Sequence, residues 1–186
     1  MSHRVNFPVV LKIPAPGHAA CARRTRNSDG SAQVVGAKKA YAWPKMKLSA
    51  PRLDEARWID LPSNRDARGV LTSIESDHDT PFPIKRIFYM HHVVADRGGH
   101  AHMDTDQVVT AVAGSFDMEL TDGKSSVTFR LDDPARGVYV PRMLFIKIFG
   151  MHVETVCLVL ASTHYDMSRS LRSHEAYLEA LGLEPS

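Results

Sequence analysis

Phe116-Asp117-Met118-Glu119-Leu120 and Val127-Thr128-Phe129-Arg130-Leu131 stand on either side of Asp122-Gly123. Apolar and polar residues alternate in both runs, which is the period of a strand with one buried face, and Asp-Gly favours the backbone of a tight hairpin turn. Short runs rich in β-branched and aromatic residues, bounded by turn residues, extend outward from this hairpin: Trp58–Leu61, Val70–Ile74, Ile84–Val94, Gln107–Ala113, Val138–Pro141, Leu144–Phe149 and Val153–Ala161. Only Ser173–Leu181 has a helical pattern, with Ser173 as N-cap and Gly182 as its stop. Many short strands, no internal repeat and one late helix predict an all-β sandwich or barrel.

At 186 residues, 44% hydrophobic and 24% charged, the chain is of a size and composition for one soluble domain with a real core. No stretch is long and apolar enough for a membrane span. Cys21 and Cys157 are far apart, and Cys157 lies in an apolar run, so we expect no disulfide framework and a reducing, cytoplasmic setting. The net charge of +2 averages two unlike parts: residues 1–45 hold eight Lys/Arg against the single acid Asp29, +7, which leaves −5 for the remainder. The positive charge thus belongs to a segment without periodicity, broken by Pro8, Pro14, Pro16 and Pro44, and no nucleic-acid-binding face is indicated. We expect residues 1–50 to be a disordered basic extension and residues 51–186 to be the folded domain. Val9-Val10-Leu11 is interrupted by Lys12 and Pro14, too soon for a signal peptide. Met46-Lys47-Leu48-Ser49 reads as a natural start, which would make residues 1–45 an upstream extension of the reading frame.

Arg97-Gly98-Gly99-His100-Ala101-His102 is the segment richest in chemistry. On an extended strand His100 and His102 project from one face and Ala101 from the other, so two imidazoles meet one cavity. The glycines permit a turn or bulge before them, and Arg97 adds a fixed positive charge. Such a pair can hold a metal, move a proton or simply pack. His100, His102, Asp106 and Gly114 approach the first motif of the metal-binding cupins, but the second motif's histidine position is occupied by Ile146, which weakens the metal reading.

Pro81-Phe82-Pro83-Ile84-Lys85-Arg86-Ile87-Phe88-Tyr89, the His100 segment, Gln107-Val108-Val109, Gly114-Ser115-Phe116, Cys157 to Ser162 and Tyr165-Asp166 resemble, in order and spacing, the WxcM-like family. Asp66-Ala67-Arg68-Gly69 resembles that family's early turn, and the likeness spans about residues 57–180. The resemblance implies a cupin-like jelly roll, or double-stranded β-helix, usually homodimeric and working without metal or organic cofactor. It also implies a sugar-nucleotide 3,4-ketoisomerase acting on a dTDP-4-oxo-6-deoxy sugar in polysaccharide or glycan biosynthesis. On that reading His100 is the base, and His102 orients it, shuttles its proton or polarises the carbonyl. Arg97 and Tyr89 stabilise the enolate, Arg68 and Arg86 hold the diphosphate, and Gln107 holds a sugar hydroxyl. The chain departs from the family pattern at Phe88, which replaces a tyrosine, and at Phe145-Ile146-Lys147, which replaces a tryptophan, a histidine or arginine, and a glutamate. Those departures leave open a second reading, a sugar-nucleotide binder without turnover, and the His100/His102 pair leaves a third, a metal-dependent cupin oxygenase.

Overall fold

The computed structural model describes residues 48–184, so the expectations for residues 1–45 and for Cys21 fall outside the described range. The strands are β1 Arg57–Asp60, β2 Ser63–Asp66, β3 Gly69–Thr72, β4 Arg86–Met90, β5 Arg97–His102, β6 Gln107–Ala113, β7 Phe116–Thr121, β8 Ser126–Leu131, β9 Arg136–Val140, β10 Phe145–Phe149, β11 Val156–Ala161 and β12 Ser170–Leu171, and α1 spans His174–Leu181. Two five-stranded sheets, ordered β1-β9-β6-β11-β4 and β12-β5-β10-β7-β8, form a cupin-like jelly roll, and β2 and β3 pair separately as a hairpin.

The alternation seen in the sequence sets the core. Phe116, Met118 and Leu120 of β7 and Phe129 and Leu131 of β8 meet Val109, Val138 and Val159 of the other sheet in one buried cluster. Asp122 shapes the β7–β8 turn, its Oδ1 accepting from the backbone N–H groups of Lys124 and Ser125 at 2.8 and 2.7 Å, and Gly123 takes a φ of 89°. Cys157 belongs to the same interior; burial pushes its thiol up to about 12, so it packs as an apolar group.

Several strands are shorter than the apolar runs suggested. The run from Ile84 keeps strand form only over Arg86–Met90, and β11 starts at Val156 because residues before it close a turn in which Thr155 N–H donates to the His152 carbonyl. The β2 strand has no apolar residue and all four of its residues are exposed, so no hydrophobic period announced it. Its strand pairing runs only to β3, from Ser63↔Thr72 to Asp66↔Gly69.

The C-terminal helix is capped at both ends as expected: Ser173 Oγ accepts from the Ala176 N–H at 3.1 Å, and Gly182 adopts a left-handed φ of 68°. Tyr177 and Leu178 pack with Ala101, Met103, Phe145 and Leu171 against the outer face of the β5 sheet. The Tyr177 hydroxyl reaches the carbonyls of Met143 and Thr121, at 2.9 and 3.0 Å, and fixes the helix to that sheet. Ala101 is fully buried there, so the outward face of β5 is filled by the helix and its inward face is left for the two histidines.

An Ala101→Leu substitution forces extra volume between β5 and α1, and we expect a loss of about 1–3 kcal/mol of stability in urea unfolding; an unchanged midpoint would mean that this contact is loose.

Candidate active site

Gly98 and Gly99 both take left-handed φ values, 87° and 69°. Opposite them the register between β10 and β5 slips: Ile146 pairs with His100 but Lys147 pairs with Gly98, leaving Gly99 as the extra residue of a bulge. A Cβ on Gly98 would stand 2.5 Å from the Ile146 carbonyl oxygen, closer than any side chain tolerates. Glycine is therefore required for β5 to approach β10, and the bulge sets the phase in which the next residues point.

That phase turns both histidines inward. Their Nε2 atoms are 3.2 Å apart and their rings cross at 80°, edge to face. They line a cavity of about 620 Å³ between β5 and the facing edge strand β4, together with Arg86, Phe88 and Met90 of β4, Arg97 and the later residues Tyr165, Ser170 and Arg172. On β4 the burial alternates, so Arg86, Phe88 and Met90 face in while Ile87 and Tyr89 face out.

Burial and neighbouring positive charge keep one imidazole of the pair neutral. Burial pushes His102 down to about 4, helped by the positive fields of His100 and Arg86 and opposed by Asp104. Its Nδ1 lies 3.1 Å from Ser170 Oγ. Arg86 is held by stacking, its guanidinium 5.1 Å from the Phe88 ring centroid and 5.2 Å from that of Tyr165. Its Nε is buried and has no hydrogen-bond partner among the described residues. Three arginines, 86, 97 and 172, stand against one acid, Asp96, around the cavity, which suits a phosphorylated ligand.

A metal fits this site poorly. Among the described residues no three His, Cys, Asp or Glu side chains converge. Asp106, the carboxylate that spacing offered as a third ligand, is absent from the cavity wall and is committed to Arg142, accepting from its backbone N–H, Nε and a terminal nitrogen at 2.6–3.0 Å.

Of the residues singled out in the sequence, the fold brings together His100, His102, Arg86 and Arg97. Three others are placed elsewhere. Tyr89 is 62% exposed on the outer face of β4, because Phe88 takes the inward position. Gln107 is buried at the start of the central strand β6 and is not part of the cavity wall. Arg68 lies at the exposed β2–β3 turn, where its guanidinium pairs with Asp66. Tyr165, Ser170 and Arg172 complete the wall without having been marked as site residues; β12 is two residues long, too short for any period to show. Of the departures from the family pattern, Phe88 lines the cavity, Ile146 sits beside His100 in the sandwich interior, Phe145 faces the helix and Lys147 pairs with Glu119 on the surface.

Residues 54–182 match the family model FdtA: WxcM-like, C-terminal. The chain is 34% identical over 135 residues to the TDP-4-oxo-6-deoxy-alpha-D-glucose-3,4-oxoisomerase of Aneurinibacillus thermoaerophilus, which covers 70% of this chain and 97% of that protein. Among solved structures it is similar to QdtA, a sugar 3,4-ketoisomerase from Thermoanaerobacterium thermosaccharolyticum in complex with TDP, with 31% identity, a TM-score of 0.67 and coverage of 69% and 96% of the two chains. It is also similar to WlaRB, a TDP-quinovose 3,4-ketoisomerase from Campylobacter jejuni, with 32% identity, a TM-score of 0.63 and coverage of 67% and 97%.

The His102 environment gives a pH dependence with a definite sign. An unfolded chain protonates this residue below about pH 6.5 whereas the folded one resists until about pH 4, so acidification through that window favours unfolding. At about 1.4 kcal/mol per pH unit, roughly 2–3 kcal/mol of stability present above pH 6.5 is lost by pH 4. Urea unfolding at pH 5 and pH 7 should show a smaller acid loss in His102→Gln than in the wild type; equal losses would mean that the histidine is not held neutral.

Proposed function

Because the chain belongs to the WxcM-like FdtA family, we propose that it is a sugar-nucleotide 3,4-ketoisomerase, moving the keto group of a TDP-linked 4-keto-6-deoxy sugar from C4 to C3. The observation that carries this reading is the pair His100 and His102, 3.2 Å apart, in the wall of a cavity lined by Arg86, Arg97 and Arg172.

The chemistry needs a base, a path for one proton and stabilisation of an oxyanion. His100 removes the C3 proton, which the adjacent C4 carbonyl makes acidic. The C3–H electron pair becomes the C3=C4 double bond, and the carbonyl oxygen takes up a proton to give an enediol. Delivery of a proton to C4, with loss of the C3 hydroxyl proton, leaves the ketone at C3. His102, neutral at pH 7 and 3.2 Å from His100, orients the base, and His100 returns the proton to C4. Arg97 stabilises charge on the enolate oxygen, while Arg86 and Arg172 hold the diphosphate. Holding the nucleotide positions the sugar over the histidines, which supplies much of the rate. No step falls to Tyr89 or Gln107.

A nucleotide-sugar binder without turnover is the second reading, and Phe88 is the observation in its favour, since a phenyl ring in the cavity wall neither donates a proton nor binds a sugar hydroxyl. We also place the protein in the cytoplasm, where Cys157 stays a free thiol, in the synthesis of a polysaccharide or glycan.

A homodimer accounts for the apolar groups left on the surface. Ile87 and Tyr89 are exposed on the outer face of the edge strand β4, and Val70 and Leu71 are exposed on the β2–β3 hairpin. We assign that hairpin, with Arg68 at its turn, to the contact between two copies.

Incubation with TDP-4-keto-6-deoxyglucose should give the 3-keto product in the wild type, and His100→Asn should lower kcat by about 10²–10⁴-fold, the usual contribution of a general base. Retained turnover in that variant would remove His100 from the role of base, and binding of substrate without product in the wild type would favour the second reading. In sedimentation velocity the wild type should run at twice the mass of one chain, and Leu71→Asp with Ile87→Asp should shift it toward the monomer; a monomeric wild type would contradict the dimer.

A further inference from the structure

We propose that Ser170 is a positioning residue for the histidine pair, its hydroxyl oxygen accepting the Nδ1 proton of His102 so that the His102 Nε2 lone pair faces His100. The inference rests on the isomerase reading and goes beyond it, by naming which ring nitrogen of each histidine carries the proton.

The geometry restricts the choices. β12 pairs with β5 at Ser170↔His102, so backbone hydrogen bonding fixes the serine opposite the imidazole it touches, and Ser170 is itself buried. Ser170 Oγ is 3.1 Å from Nδ1 of His102, and Nε2 of His102 is 3.2 Å from Nε2 of His100, so both nitrogens of the His102 ring are engaged. A neutral imidazole has one N–H and one lone pair, which leaves two arrangements. If His102 carried its proton on Nε2, it would donate to His100, whose own proton would then sit on Nδ1, and no lone pair of His100 would remain to act as a base. If His102 carries it on Nδ1 and donates to Ser170, His100 donates from Nε2 and keeps the Nδ1 lone pair free. Among the described residues no protein hydrogen bond engages that Nδ1 atom, and His100 lines the cavity. Only the second arrangement leaves a base. When His100 takes the substrate proton, its imidazolium still donates to a neutral acceptor that a third group has oriented, a division of roles also used by hydrolytic triads.

Long-range proton–nitrogen NMR of protein labelled with 15N-histidine reads the tautomers directly and needs no substrate, so its result stands whether or not the isomerase reading does. The wild type should show His102 protonated on Nδ1. In Ser170→Ala this preference should be lost, and with TDP-4-keto-6-deoxyglucose kcat should fall by about tenfold or more with KM within about twofold. Ser170→Thr, which keeps the hydroxyl, should restore both. A wild-type His102 protonated on Nε2 would overturn the proposal, as would a Ser170→Ala protein that keeps both tautomer and kcat, or one that loses kcat with its His102 signals unmoved. Should Ser170→Ala fail to fold, the wild-type tautomer and the Ser170→Thr protein still decide.

Discussion

The close approach of Gly98 to the carbonyl oxygen of Ile146 is the constraint on which the site depends. Because a Cβ there would be only 2.5 Å from that oxygen, glycine alone allows β5 to lie on β10 at this point, and the following glycine is extruded as a bulge. The bulge fixes which residues of β5 point inward. A slip of one residue would place Ala101 in the cavity and both imidazoles against the helix. Ala101 is held in the opposite sense by Phe145, Leu171 and Tyr177, so the packing of α1 and the glycine contact specify the same phase from two sides.

Once the phase is set, the two sheets build a site with divided tasks. The β5 strand supplies the histidines, and the edge strand β4 supplies Arg86 on the same interior side as Phe88 and Met90. Burial keeps His102 uncharged, which spares the cavity a further cation among the arginines and leaves an imidazole able to accept a proton. The aromatic rings of Phe88 and Tyr165 hold the Arg86 guanidinium without consuming its hydrogen-bond donors. Phe88 thus has a physical role although it lacks the hydroxyl that the family pattern has at its position.

Much of this was legible in the chain because the signals were local. Alternation in Phe116–Leu120 and Val127–Leu131 gave strands and their buried faces, Ser173 and Gly182 gave the helix limits, and the His100-Ala101-His102 spacing gave two imidazoles on one face. The structure departs from the sequence reading where the signal was ambiguous or absent. Ile87, Phe88 and Tyr89 are three large apolar or aromatic residues in a row, so the pattern could not say which of Phe88 and Tyr89 faces in, and the structure chooses Phe88. Gln107 and Arg68 carried suitable chemistry, but their distance from the cavity is a property of sheet order and of the separate β2–β3 hairpin, which no short window contains. Ser170 and Arg172 come to the site through a strand of two residues paired with β5 across 68 positions of chain, and nothing in their immediate sequence marks them.

The central claim is that His100 exchanges the hydrogen on the sugar carbon next to the ketone. Its most direct test is to follow TDP-4-keto-6-deoxyglucose in D2O by proton NMR. Wild-type protein should wash deuterium into C3 of the recovered substrate and C4 of the product, and His100→Asn should leave C3 of the substrate protiated and form no product on the same timescale. Exchange at the wild-type rate in the variant, or none in the wild type at a concentration that saturates binding, would contradict the account.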